Sequence, residues 1–324
     1  MSFKDVLGQD RQIEIIKKAI ENNRVPHAYL FLGEEGVGKK RTALTLAKAL
    51  NCCAEPTDSC DECNSCRKIM NGNHPDVTVV EPEGNSIKIN QIRELQRSLK
   101  YKPYEGKKKV CIIANAEKMN LAAANSMLKI LEEPPPDIVL ILTTTSPYLL
   151  LSTINSRCQK LKFQPLTNDL ISKIIKEKLG KDEETSLKIA SLAGGNLNRA
   201  YELSEGTTIE YRNRLIEKIN ALSPNNINET LEFAEEMSKE KEELIGALQL
   251  LKTWFRDILI FKENCPVDRL INADFLEEIK RLSERFTIMD LLRKLRITND
   301  AELALLRNSN KRLTLEVMLG KLSQ

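Results

Sequence analysis

The stretch Gly33-Glu34-Glu35-Gly36-Val37-Gly38-Lys39-Lys40 follows the apolar run Tyr29-Leu30-Phe31-Leu32 and opens a helical segment, Arg41 to Leu50. A G-x-x-x-x-G-K sequence between a strand and a helix is the setting of a phosphate-binding loop, in which backbone N–H groups and the positive end of the helix receive an anion. Gly33, Gly36, Gly38 and Lys39 are the candidate phosphate-binding residues. The next position of an active loop carries a Ser or Thr hydroxyl that helps hold Mg²⁺, and here it is Lys40. Phosphate binding therefore survives on paper, and metal binding is weakened.

The residues around this loop read as a doubly wound α/β domain. Tyr29–Leu32, Val77–Val80, Val110–Ile113 and Ile138–Leu142 are short, continuously apolar runs, as expected of parallel strands buried on both faces. Between them, Ile92-Leu95-Leu99 and Ala124-Met127-Leu131 repeat at helical spacing, and Pro134-Pro135-Pro136 stops the second of these helices. After Phe163-Gln164-Pro165 the strand signal ceases. A short helical module with Gly194-Gly195-Asn196 as a breaker is expected over 166–206, and antiparallel helices over 207–324. The only tryptophan, Trp254, is expected to anchor the core of that last region.

Composition narrows the classes. A net charge of +3 with 29% charged and 5% aromatic residues excludes a strongly basic nucleic-acid binder, so any DNA contact must come from a local patch or from partner chains. No run approaches the length of a membrane span and the first residues do not read as a secretion signal, so the cytoplasm is the expected location. There the eight cysteines are expected to be reduced or metal-bound. Cys60-x-x-Cys63-x-x-Cys66, with Cys52 and Cys53 just upstream, offers four thiolates to a structural zinc ion. An iron–sulfur cluster and free buried thiols are the alternatives, although the run after Cys66 lacks the fourth Cys and Pro of the bacterial ferredoxin pattern. Lys107-Lys108-Lys109 reads as a solvated turn.

In a P-loop ATPase the strand Val110–Ile113 would end in an Asp that binds Mg²⁺ and a Glu that activates water. Ala114-Asn115 stands there instead, and neither side chain performs those tasks. Glu117 is the nearest carboxylate in sequence, in a different register.

Three segments then carry a resemblance: Leu128-Lys129-Ile130-Leu131-Glu132-Glu133-Pro134-Pro135, Thr143-Thr144-Thr145-Ser146-Pro147 and Thr153-Ile154-Asn155-Ser156-Arg157-Cys158. In this order and spacing the chain resembles the AAA+ subunits of the bacterial DNA polymerase III clamp loader, most densely over residues 1–165. The degenerate loop and missing acidic pair are more similar to the non-hydrolysing type of subunit than to the ATP-hydrolysing gamma/tau type. The resemblance implies an AAA+ domain over 1–165 with a zinc-binding insert, a helical lid over 166–206 and an oligomerisation domain over 207–324. It places the zinc ligands at Cys52, Cys60, Cys63 and Cys66, favouring Cys52 over Cys53. It implies partnership with gamma/tau and delta subunits, action on a sliding clamp and primed DNA through the complex, and weak or no ATP binding by this chain. It also gives Arg157 the role of an arginine finger directed at a neighbouring subunit's ATP, where the residues alone suggest a local ion pair. Glu132-Glu133, carboxylates at a helix C-terminus where the dipole disfavours them, hint at an interface.

Overall fold

The structure is a computed structural model and describes residues 2–204, 207–223, 226–239, 244–307 and 309–323. These residues form two compact units, one comprising 1–170 with 195–198 and the other 171–194 with 199–324.

The first unit is built on a five-stranded sheet in which every pairing is parallel, ordered β2-β3-β4-β1-β5. Its strands are β1 (Ala28–Leu32), β2 (Val77–Val80), β3 (Lys109–Ile113), β4 (Ile138–Thr144) and β5 (Gln159–Lys162). Side chains alternate between two cores, because successive strand residues face opposite sides. Ala28, Leu30, Cys111, Ile113, Leu140 and Leu142 pack with α4 (Ile89–Leu99) and α5 (Leu121–Glu132). Tyr29, Phe31, Val110, Ile112, Val139 and Ile141 pack with α1 (Asp10–Glu21) and α2 (Lys39–Asn51). This is the α/β architecture expected from the continuous apolar runs. β5 was not expected: only Leu161 of its four residues is buried, as suits an edge strand paired on one side.

Buried polar groups hold the irregular parts together. The Gln9 side chain is fully buried, donates to the carbonyls of Gln164 (2.7 Å) and Val37 (3.3 Å), and accepts from the N–H of Gln164 (3.1 Å). Asp76 accepts the N–H groups of Tyr104 (2.7 Å), Glu105 (2.9 Å) and Gly106 (2.8 Å), fixing the loop that leads into β3. Of Lys107-Lys108-Lys109 only Lys109 is buried, while Lys107 is exposed and Lys108 half-buried, as a largely solvated turn requires. Lys107 donates to the Cys52 carbonyl (2.6 Å), Lys108 pairs with Asp137 (2.7 Å), and Lys109 is buried against the Ser98 carbonyl (2.7 Å). Lys107 and Lys109 reach backbone carbonyls at the ends of α2 and α4, which have no partner within their helices.

The second unit is helical among its described residues. It takes in most of α7 (Asn168–Leu179), α8 (Glu183–Ala193) and most of α9 (Leu197–Ser204). These are followed by α10 (Thr207–Ala221), α11 (Ile227–Lys239), α12 (Leu244–Lys262), α13 (Leu276–Arg285), α14 (Ile288–Leu306) and α15 (Lys311–Leu322). Gly206, where the expected lid ends, lies outside the described residues. Trp254 is fully buried, donates to Asn220 Oδ1 (3.0 Å) and meets the Phe275 ring edge-on. The buried Arg212 binds Asp274 through both Nη atoms (2.8 and 2.9 Å) and also donates to Asn272, which in turn donates to Asp257. Ser191 and Lys188 of α8 reach the same segment, at Ile271 and Asp274. Among the described residues, no helix is long and apolar enough to cross a membrane.

Asp76 makes a testable contribution. Burial raises the pKa of its carboxyl, but the three N–H bonds outweigh this and hold it below the ordinary 3.8. Its stabilisation is therefore present above that value and is lost as pH falls through the lower native pKa. Asp76→Asn should cost about 2 kcal/mol at neutral pH, and the gap from wild type should shrink below pH ~4, measured by denaturant unfolding across pH.

Candidate phosphate loop, cysteine cluster and arginine

The phosphate loop runs from the end of β1 into α2, at the carboxyl edge of the sheet where parallel folds bind ligands. Gly38 caps α2 in the left-handed region (φ +94°), and Gly36 (φ +73°) lies so close to Asn196 that a Cβ would meet its Oδ1 at 1.8 Å. The N–H of Leu197 approaches the Gly36 carbonyl (3.4 Å), so residues 195–198 lie on the loop. Lys39 is buried and its Nζ donates to the carbonyls of Gly33 and Glu34, both at 2.6 Å. Burial lowers its pKa, opposed by the fields of Glu117, Glu35 and Glu34. Lys40, in the place of the metal-binding hydroxyl, points away into an ion pair with Glu81.

Beyond β3, Ala114 is buried and Asn115 takes a left-handed conformation (φ +54°), its N–H donating to Thr143 Oγ1 (3.2 Å). Glu117 is the carboxylate that does face this edge. Its Oε1 accepts from Thr145 Oγ1 (2.8 Å), while its Oε2 is buried without a hydrogen-bond partner.

Cys52, at the end of α2, and Cys60, Cys63 and Cys66 converge, with all four sulfurs within 4.8 Å of one another. Cys53 is exposed and outside the group. Tetrahedral metal–thiolate bonds of about 2.3 Å place sulfurs about 3.8 Å apart, so this donor set fits a soft metal ion. Backbone N–H groups already address the sulfurs: Glu55 to Cys52 (3.3 Å), Cys63 to Cys60 (3.3 Å) and Cys66 to Cys63 (3.5 Å). Burial disfavours the Cys63 thiolate, but the N–H groups of Cys53 and Cys66 and the neighbouring thiols bring its pKa down to about 6. Burial pushes the Cys66 thiol up. Cys63 also caps α3 (Asn64–Met70), which presents Ser65 to the buried His74 (3.1 Å). The insert is anchored from below by the buried Lys48, paired with Asp61. Neither Lys48 nor Asp76 was singled out in the sequence, since a lone charged residue carries no periodic signal.

Arg157 ends α6 (Ser152–Arg157), remote in sequence from the loop and the cysteines. Its Nη1 donates to the Thr153 carbonyl (3.2 Å) and its Nη2 pairs with Glu132 Oε1 (2.9 Å) at the end of α5. The local ion pair thus exists, and it accounts for the carboxylate at that helix terminus.

Known proteins give the same picture at the level of family. Residues 8–167 match the family described as DNA polymerase III, delta subunit, and residues 207–324 match its C-terminal counterpart. DNA polymerase III subunit delta' of Bacillus subtilis is 33% identical over 93% of this chain and 92% of its own length. The tau subunit of the same organism is 29% identical over 99% of this chain, which spans 61% of tau. The tau subunit of Escherichia coli is 33% identical over 63% of this chain, which covers 32% of that protein. The coverage is nearly end to end only for the first of these relatives, and the chain belongs to the delta-prime subunit family of DNA polymerase III.

Proposed function

We propose that the chain is the non-hydrolysing delta-prime subunit of a clamp loader, which completes a ring with gamma/tau and delta subunits and helps place the sliding clamp on primed DNA in the cytoplasm. The observation that carries this reading is the carboxyl edge of β3. Ala114 and Asn115 follow β3 at the positions where hydrolysis needs two acids, and Lys40, at the position of the metal-binding hydroxyl, pairs with Glu81. Glu117 is held by Thr145 and does not take the strand-end register of a general base. Gly33, Gly36, Gly38 and Lys39 then act as an inherited scaffold, with weak or no ATP binding. Residues 1–165, 166–206 and 207–324 act as AAA+ body, lid and oligomerisation domain.

In this reading Arg157 serves a neighbour's ATP. It stands on a short helix anchored by the buried Ile154 and Cys158, its side chain is about one-third exposed (36%), and a guanidinium stabilises charge developing on a transferred phosphoryl group. In a reconstituted loader, Arg157→Ala should leave assembly intact and slow hydrolysis at the site it serves roughly 10³-fold. DNA-stimulated ATPase at the wild-type rate would refute the role.

The cysteine cluster is read as a closed structural zinc site of Cys52, Cys60, Cys63 and Cys66. Four thiolates leave no open coordination position, so the ion stabilises the insert and takes no part in chemistry. Purified protein should contain zinc and no iron. Chelation or Cys60→Ser should unfold the insert, with a loss on the order of 10 kcal/mol in metal-binding free energy, and acid, which protonates the thiolates, should release the ion. Metal analysis with thermal melting against pH checks both, and a chelator-insensitive melt would count against the site.

A further inference from the structure

We propose that Glu132 is the positioning residue for Arg157, restricting its guanidinium to a narrow set of positions from which it meets a phosphate on an adjoining subunit. The inference rests on the reading of Arg157 given above and concerns a residue that this reading leaves without a task.

The backbone beneath Arg157 is fixed on both sides. Ile154 is fully buried one turn before it, and Cys158 is buried immediately after it. The Asn155 side chain donates to the Pro147 carbonyl (2.9 Å), tying α6 to the loop before it. That loop exposes Tyr148 (81%) and Leu149 (63%), an apolar pair suited to being covered by another protein surface. What remains free is the side chain, and an unrestrained arginine would sample many rotamers.

Two contacts restrict it. Nη1 binds Thr153 in its own helix, and Nη2 binds Glu132 on α5, the only one of the two contacts that comes from outside α6. Glu132 sits where the helix dipole disfavours a carboxylate, and Pro134-Pro135-Pro136 follows, so its backbone cannot continue as helix and shift register. The pair is partly exposed, 36% for Arg157 and 49% for Glu132, which makes it weak enough for a triphosphate to compete for the remaining donors of the guanidinium. Glu132 thus limits the search of Arg157 without sequestering it.

The test is a double-mutant cycle in the loader reconstituted with gamma/tau and delta subunits, following DNA-stimulated ATPase of Glu132→Gln, Arg157→Ala and the double variant. Glu132→Gln should lower kcat of the Arg157-dependent hydrolysis by up to roughly fivefold with KM for ATP unchanged, and Glu132→Asp should recover part of the loss. In the Arg157→Ala background Glu132→Gln should have no further effect. A wild-type or faster rate for Glu132→Gln beside a slow Arg157→Ala overturns the positioning role alone. An equal loss in both backgrounds also overturns it, because it assigns Glu132 a merely structural part. If Arg157→Ala itself hydrolyses at the wild-type rate, the trans-acting arginine fails first and Glu132 has nothing to position.

Discussion

A parallel sheet covered by helices on both faces leaves chemistry one place to occur, the carboxyl edge of its strands. In this chain β1 and β3 flank β4 and end beside it, so the phosphate loop and Asn115 both abut its end, Gly33 donating to the Thr144 carbonyl (3.2 Å) and Asn115 to Thr143 Oγ1 (3.2 Å). Apart from the buried Glu117 Oε2, much of the edge is satisfied from within. The Lys39 ammonium binds two carbonyls of its own loop, Asn196 lies against Gly36, and Glu117 supplies the carboxylate whose field reaches Lys39. Internal partners of this kind can hold the shape of the loop without a bound anion, as the proposed non-hydrolysing role requires.

The insert and the body are joined by the same logic of orphan backbone groups. Cys52 ends α2, and its carbonyl is taken by Lys107 from the loop before β3; one residue earlier, Asn51 accepts the N–H of Lys108 (3.0 Å). Asp76 fixes that loop from the other side, with His74 bridging to Ser65 inside the cysteine turn. The cysteine turn is thus tied to the central sheet largely through side chain–backbone bonds.

Much of this was legible in the sequence where a pattern repeats. Continuous apolar runs gave β1 to β4, and the Cys-x-x-Cys-x-x-Cys spacing gave three of the clustered sulfurs. Spacing left Cys52 and Cys53 open, and only the resemblance favoured Cys52; the fold buries that thiol at the end of α2 and turns Cys53 outward. β5 was hidden because an edge strand with one buried residue carries almost no hydrophobic signal. Lys107 lies exposed as the charge run suggested, but the burial of Lys109 against the Ser98 carbonyl was not legible, because charge alone does not reveal which acceptors folding will bring near. Asp76, Lys48 and Arg212 were invisible for the same reason: each is a single polar residue whose partners lie far away in sequence, from 13 residues for Lys48 to 62 for Arg212.

The proposed division of labour separates a phosphate loop that no longer hydrolyses from an arginine that acts elsewhere. Arg157 and Glu132 stand on α6 and α5, elements that the loop's decay leaves untouched, so loss of one activity does not entail loss of the other. Steady-state hydrolysis of Mg²⁺–ATP by the isolated chain tests this separation most directly. Turnover should stay at the background of the protein-free reaction; turnover well above it that disappears in Lys39→Ala would contradict the reading.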